Sequence, residues 1–346
     1  MTVDIRVAKL RQIVAANNLQ GLITTRRENV FYLTNLNIEA VLLITLNDCF
    51  AIVPPMYEEE TPILQNSWNL MIATESLIKE ASRVVHQLPI NTWGCEPEYL
   101  SHAAWKQLRD HVQGSLNSAT GILDSLRAIK DPQEVQLLKE ARSSSLAALG
   151  HIENLLQQGV SEKDVALEIV AYIMKQADGI AFDPIVLFGE RTSLPHGTPS
   201  RRVLTRNDYA VLIDLGAKIE GYHGDITRTI LLNGASQRWH AIYECVQQLQ
   251  EMAIGMLRPG LACREVDAAI REVAAQKGFG DNIRHSLGHG VGLAVHEYPF
   301  LGKSGTGELQ ENMIVTVEPG LYFPGWGGVR IEEMVQVTQQ GGRIIS

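Results

Sequence analysis

The sequence predicts an α/β protein in two domains, a small helix-and-strand domain over residues 1–125 and a larger α+β domain over 126–346. Three observations carry this. Short apolar runs alternate with helical periods through the first 125 residues. A strong helix start, Asp131-Pro132-Gln133-Glu134, follows a boundary near Ser125–Lys130. Beyond it, two similar strand–turn–strand units each carry two acidic residues at strand ends.

The first element is a helix. After a cap at Asp4, Val7, Leu10, Ile13 and Val14 recur on one face, and Gly21 follows. Strand-like runs come next at Leu22–Thr24, Val41–Leu46, Phe50–Val53 and Asn69–Ala73, with helical periods near Leu77–Leu88 and Leu100–Val112. No catalytic constellation falls in this region, which reads as a scaffold or oligomerisation domain. At the boundary, Asp131 caps a helix with Pro132 at its first position and Glu134 closing a capping box, and the helix should run to about Leu156. Ser161 with Asp164 opens another, whose apolar face includes Val165, Ile169, Ile173 and Met174. Two more run from Ser236 to about Leu257 and from Arg264 to Lys277, followed by Gly260 and Gly278.

Apolar residues make up 45% of the 346, enough for a packed core and against global disorder. Thirty basic against 39 acidic residues leave a net charge of −9, the opposite of what a phosphate backbone attracts, so no nucleic-acid partner is expected. No apolar segment of signal type opens the chain, and the longest aliphatic run, Ala40 to Leu46, is far short of a membrane span. A cytoplasmic protein with no membrane partner is the expectation. Cys49, Cys95, Cys245 and Cys263 lack CxxC spacing and read as reduced, buried thiols.

The chemistry lies in the paired acids. Tyr209–Asp214 (YAVLID) is an apolar run ending in an acid; Leu215-Gly216, a loop with Tyr222 and a second acid, Asp225, lead into the next apolar strand. Met313–Glu318 (MIVTVE) repeats the pattern, with Pro319-Gly320, Tyr322, a glycine-rich turn and Glu332 ahead of Met334–Val337. One such acid is ordinarily a cap or a salt bridge. Four brought together repel one another unless protons or cations compensate them. Divalent ions do this, and bridging carboxylates can hold two of them about 3.5–4 Å apart. A nitrogen ligand is available in His289, set between Gly288 and Gly290, with His285 and His296 close by in sequence. His223, two residues before Asp225, shares its face on a regular strand and reads as a turn or rim histidine.

Competing motifs fail. His296-Glu297-Tyr298-Pro299-Phe300 lacks the second histidine of HExxH, and Gly302-Lys303-Ser304 lacks the first glycine of a phosphate loop, since position 297 is Glu297. No GxSxG nucleophile elbow occurs.

These motifs resemble those of the creatinase/aminopeptidase superfamily with the pita-bread fold (M24 metallopeptidases), and within it the Xaa-Pro peptidases, prolidase and aminopeptidase P. The opening KLRQIVAANNLQGLITTRRENVFYLTNL is similar to the creatinase-type N-terminal domain, and LRAIKDPQEVQLLKEA to the entry of the catalytic domain. The metal motifs are IDLGAKIEGYHGDITRT, SLGHGVGLAVHE, VTVEPGLY and GVRIEEM. The resemblance implies a creatinase-like α/β domain over 1–125 and a pita-bread catalytic domain over 126–346, with a curved, largely antiparallel sheet covered by helices.

Position by position, the resemblance makes Asp214, Asp225, His289, Glu318 and Glu332 the ligands of two divalent ions. Asp225 and Glu332 would bridge, Asp214 would complete one site, and His289 with Glu318 the other. This donor set suits a harder ion such as Mn²⁺, with Co, Fe or Zn as other options. A water shared by the two ions would supply hydroxide to attack the carbonyl before proline, with Glu318 shuttling the proton. His196, in Pro195-His196-Gly197, and His296 match the substrate-binding and transition-state histidines, and His285 a pocket histidine. Tyr322 and Arg330 match positions behind the ligands that orient Asp214. The implied substrates are proline-containing dipeptides or short peptides, and the implied assembly is a homodimer.

Two alternatives stay open: a non-peptidase enzyme on the same fold, such as a creatinase-like amidinohydrolase or a lyase, and a non-catalytic binding module. The complete ligand set argues against both. Dipeptidase and aminopeptidase specificity differ in what closes the pocket beyond proline or clamps a free carboxylate there.

Overall fold

The computed structural model describes residues 2–346, and the chain divides into two compact units, one ending at Arg127 and one running from Ala128 to Ser346. The first unit holds helices α1 (Val3–Ala16), α2 (Arg27–Thr34), α3 (Leu77–Gln87), α4 (His102–His111) and most of α5 (Ile122–Ala128). Its strands are β1 (Gly21–Thr24), β2 (Val41–Thr45), β3 (Cys49–Val53), β4 (Asn69–Ile72), β5 (Thr92–Cys95) and β6 (Ser115–Ser118). They form one sheet in the order β4-β3-β2-β1-β5-β6, in which β2 runs against both neighbours and every other pairing is parallel. Every residue of β1 and β2 is buried, as expected of strands covered on both faces.

Several boundaries differ from the sequence reading. Thr2, not Asp4, is the N-cap of α1, and Asp4 sits in the first turn, where a negative charge favours the helix dipole. Ser76 and Ser101 cap α3 and α4 through their side chains, accepting from the backbone N–H groups of Lys79 and Ala104. Helix α2 and strands β5 and β6 were not expected. RENVFYLT is only two turns long, and TWGC and SLNS are too short and too polar to show an alternating pattern.

The second unit begins with α6 (Pro132–Glu153), whose capping box is present as expected: Asp131 accepts from the Gln133 and Glu134 amides, and Glu134 accepts from the Asp131 amide. The helix stops at Glu153, short of Leu156. Helix α7 (Glu162–Gln176) carries the expected Ser161–Asp164 capping box, and α8 (Gln237–Met256) and α9 (Cys263–Gln276) complete the set.

Its strands are β7 (Gly179–Ile180), β8 (Ile185–Phe188), β9 (Ala210–Leu215), β10 (Ala217–Ile219), β11 (Tyr222–His223) and β12 (Ile226–Leu231) in the first half. The second half holds β13 (Gly288–Gly290), β14 (Glu297–Leu301), β15 (Ile314–Val317), β16 (Gly320–Phe323), β17 (Gly327–Arg330), β18 (Glu333–Thr338) and β19 (Gly341–Ile344). Every pairing among them is antiparallel.

The two acid-bearing units of the sequence are matched strand pairs. In one, β9 pairs with β12, with β10 and β11 between them in sequence; in the other, β15 pairs with β18, with the β16–β17 hairpin between. Each has its own core. Apolar residues of α6 and α7, such as Leu149, Val165 and Ile169, pack on Val186, Val211 and Ile213. Val246, Leu249, Val266 and Ile270 of α8 and α9 pack on Val315, Val317, Val335 and Val337. A backbone hydrogen bond from Glu332 N–H to Thr227 O (3.1 Å) ties the two halves together.

Candidate metal centre

All four acids sit where an apolar strand meets a turn. Asp214 lies in β9, in register with Thr227 of β12, and Asp225 immediately precedes β12. Glu318 immediately follows β15, Glu332 immediately precedes β18, and His289 is the middle residue of β13. Strand pairing therefore converges five residues that are far apart in sequence. Glycine at 288 permits this close approach, since a Cβ there would run into the Thr316 backbone oxygen.

Asp225, His289 and Glu332 are buried, and each offers a ligand atom within 4.8 Å of the other two. His289 Nε2 lies 3.4 Å from Glu318 Oε1 and 3.6 Å from Asp225 Oδ2. Its Nδ1 sits 3.1 Å from the Gly290 carbonyl, which fixes Nδ1 as the donor and leaves the Nε2 lone pair facing the carboxylates. Asp214 places Oδ2 2.6 Å from Arg330 Nη2, while its buried Oδ1 has no hydrogen-bond partner among the described residues.

The nine other expected site residues join Asp214 around this centre. His196, His285, His296 and Arg330 line, with the five acid and histidine groups, one cavity of about 520 Å³. The His296 ring stands 4.1 Å from that of His289. Tyr322 is buried behind the wall, its hydroxyl 2.7 Å from His285 Nε2 and 3.0 Å from Arg330 Nη1. His223, by contrast, turns to the Gly292 carbonyl, with Nδ1 at 3.1 Å, and supports the loop after β13.

Sequence reasoning missed two threonines and a carbonyl. Thr227 Oγ1 donates to Glu332 Oε2 (2.7 Å) and accepts from Arg330 Nε (3.0 Å). Thr316 Oγ1 accepts the His289 amide (3.0 Å) and faces Glu318 Oε1 at 3.4 Å. Arg330 Nη1 also donates to Pro195 O (2.9 Å), holding the loop that presents His196. Each threonine stands two residues from an acid, hence on the same face of its strand, and that spacing was the available signal.

The electrostatics are those of a site short of positive charge. Burial, reinforced by Glu332, Asp214 and Glu318, pushes the Asp225 carboxyl well above its usual range. Burial and the neighbouring carboxylates likewise push Glu318 well up and Glu332 to about 8. Burial lowers His289 to about 3 and His285 to about 4, keeping both imidazoles neutral and available as ligands or acceptors. Burial opposes the Arg330 cation, but Tyr322 and the surrounding acids hold it well above its ordinary value. Clustered carboxylates, an imidazole lone pair and an orphaned Asp214 oxygen fit divalent cations with oxygen-rich coordination.

Comparison with known proteins agrees with this geometry. The model of the Creatinase/Prolidase N-terminal domain matches residues 6–129, and that of Metallopeptidase family M24 matches 136–339. The Xaa-Pro dipeptidase of Pyrococcus horikoshii is 31% identical over 98% of this chain and 95% of its own length. A solved Xaa-Pro dipeptidase from Bacillus anthracis superposes with a TM-score of 0.94 at 33% identity, covering 99% of this chain and 97% of that one. The X-Pro aminopeptidase from Thermotoga maritima superposes at 0.85 with 28% identity, covering 96% and 97%. The chain belongs to metallopeptidase family M24 and carries a creatinase/prolidase-type N-terminal domain ahead of its catalytic half.

Proposed function

We propose that this protein is a metal-dependent exopeptidase that hydrolyses Xaa-Pro peptide bonds. The observation that carries the reading is the convergence of Asp214, Asp225, His289, Glu318 and Glu332 on one wall of a cavity that His196, His285 and His296 also line. Those five residues would hold two divalent ions, with Asp225 and Glu332 shared between them and manganese as the native metal. Bound there, the ions supply Lewis-acid polarisation and an activated water near neutral pH.

The chain's own residues do the rest. His196 and His296 face the same space and stabilise the negative charge that builds on the scissile carbonyl oxygen. Glu318 takes a proton from the attacking water and passes it to the prolyl nitrogen as the C–N bond breaks and the new C–O bond forms. Arg330 holds Asp214 in place, and Tyr322 holds His285. Residues 1–125 serve as scaffold and as part of a homodimer, and 126–346 as the catalytic domain, in a cytoplasmic enzyme.

The test is direct. Protein stripped of metal and reloaded with Mn²⁺ is offered Ala-Pro, a longer Xaa-Pro peptide and a proline-free control. Hydrolysis confined to the proline substrates supports the reading. No hydrolysis of either with two ions bound per chain overturns it in favour of another reaction or a binding role.

A further inference from the structure

Glu297 takes no part in the chemistry above. It follows His296 in the stretch that fails as HExxH, and a buried carboxylate needs a partner. That partner is Lys130, whose Nζ lies 2.8 Å from Oε1, with both side chains all but sealed from solvent. What the pair does follows from the loop it closes.

Residues 291–296 join β13, which carries His289, to β14, which opens with Glu297. The loop leaves β13 on a fixed backbone: Val291 N–H donates to Ile314 O (3.2 Å), and Gly292 O accepts from the His223 amide (2.9 Å). It returns at Glu297, which stands opposite Gly290 in the strand pairing. Glu297 Oε2 accepts from the Ala294 amide (3.3 Å), and Oε1 lies against Gly292, where a Cβ would come within 2.3 Å of it. One carboxylate thus touches both limbs of the loop. Its lysine partner is fixed in turn, since Lys130 N–H donates to Asn312 O (3.0 Å).

His296 has little else to hold it. The residue is exposed, and its ring makes no hydrogen bond among the described residues; it meets the His289 ring at 4.1 Å. His285, in the same cavity, is held at both nitrogens, by the Ser286 carbonyl and the Tyr322 hydroxyl. An imidazole without such partners stands where its backbone puts it, and the backbone beside His296 belongs to Glu297. A charged pair in a dry interior holds that backbone more firmly than a neutral hydrogen bond would.

We propose that Glu297, backed by Lys130, is the positioning residue that sets His296 against the scissile carbonyl. The proposal rests on the Xaa-Pro reading above and adds the residues that fix one of its histidines.

Wild type, Lys130→Met/Glu297→Gln, His296→Ala and the three changes combined are loaded with Mn²⁺ and assayed on Ala-Pro and a longer Xaa-Pro peptide. The charge-free pair should keep two ions per chain and a KM near that of wild type. Its kcat should fall by roughly 10- to 100-fold, the cost of a catalytic group about 1 Å out of place. In the His296→Ala background the same pair should change kcat by less than about twofold, because the histidine it positions is gone. In metal-free protein the His296 imidazole NMR signal, identified by its absence in His296→Ala, should broaden or divide in the charge-free pair. Gly292→Ala keeps both charges but pushes on the carboxylate; it should repeat these effects, and it carries the test if the charge-free pair does not fold. Wild-type kcat in either folded variant, an unchanged His296 signal, or losses that multiply in the His296→Ala background overturn the positioning role and leave the peptidase reading intact. Wild-type enzyme that cleaves neither peptide with two ions bound overturns the peptidase reading and the role that rests on it.

Discussion

The Lys130 ammonium and the Glu297 carboxylate lie 2.8 Å apart, with side chains 1% and 2% exposed. Lys130 immediately precedes the capping box of α6, and Glu297 immediately follows His296. Glu297 Oε2 also faces the Ala294 amide at 3.3 Å, and its carboxylate fills the space that a Cβ at Gly292 would need. The loop that ends in His296 is thus anchored to the start of the catalytic unit by a sealed ion pair. Breaking such a pair from one side leaves a buried charge uncompensated, at about 3–5 kcal/mol. Lys130→Met should therefore destabilise the protein by about that amount in chemical denaturation. The double variant Lys130→Met, Glu297→Gln should recover much of the loss, and equal stability of the two would show that the pair is not the cause.

Asp225 offers an oxygen to the same space as His289 and Glu332. Asp225→Asn keeps the shape and removes the charge. It should abolish hydrolysis and lower metal content below two ions per chain by elemental analysis. Retained activity would mean that Asp225 is not a bridging ligand.

Thr227→Val preserves volume but deletes the hydroxyl between Glu332 and Arg330. Loss of such supporting contacts typically costs 10- to 100-fold in activity or metal affinity. A fall of that size in kcat, with thermal stability little changed, is the expected result. A variant with full activity at limiting Mn²⁺ would contradict it.

Metal removal should change the pH dependence of stability. In the metal-free protein Asp225 and Glu318 stand well above the ordinary carboxylate range and Glu332 at about 8, against about 4 in an unfolded chain. Groups raised on folding stabilise fully below the unfolded value, and that stability is lost as pH rises through the folded one. His289 and His285, lowered to about 3 and about 4, act oppositely: they stabilise fully above about 6.5 and lose it as pH falls. Between about pH 6.5 and 8 the carboxylates alone set the slope, so metal-free protein should become less stable as pH rises through this window. Saturating Mn²⁺ should raise stability and flatten the slope. Denaturation curves at both pH values, with and without EDTA, check the sign.

Much of the site could be read before the fold because its chemistry is written at strand ends. An acid closing an apolar run at Asp214 or Glu318 conflicts locally with burial, and the repetition of that conflict in two matched strand pairs is what made the four acids stand out. Asp131-Pro132-Gln133-Glu134 was equally legible, since a capping box is defined by nearest neighbours. Thr227 and Thr316 were not singled out, because a threonine in a strand needs no explanation and its partners come from other elements. Helix α2 escaped for a related reason. RENVFYLT is held by its surroundings rather than by an apolar stripe, with Asn29 buried against Glu96.

The single guanidinium of Arg330 touches β9 through Asp214, β12 through Thr227, its own hairpin through Tyr322, and the His196 loop through Pro195. One side chain therefore braces both the proposed ion-holding residue Asp214 and the loop that carries His196, the residue proposed to meet the peptide. Loss of that guanidinium would release all four contacts at once. Under the proposed function, Arg330 thus ties the geometry of the ion site to that of the peptide site, and neither can be reshaped at this residue without disturbing the other.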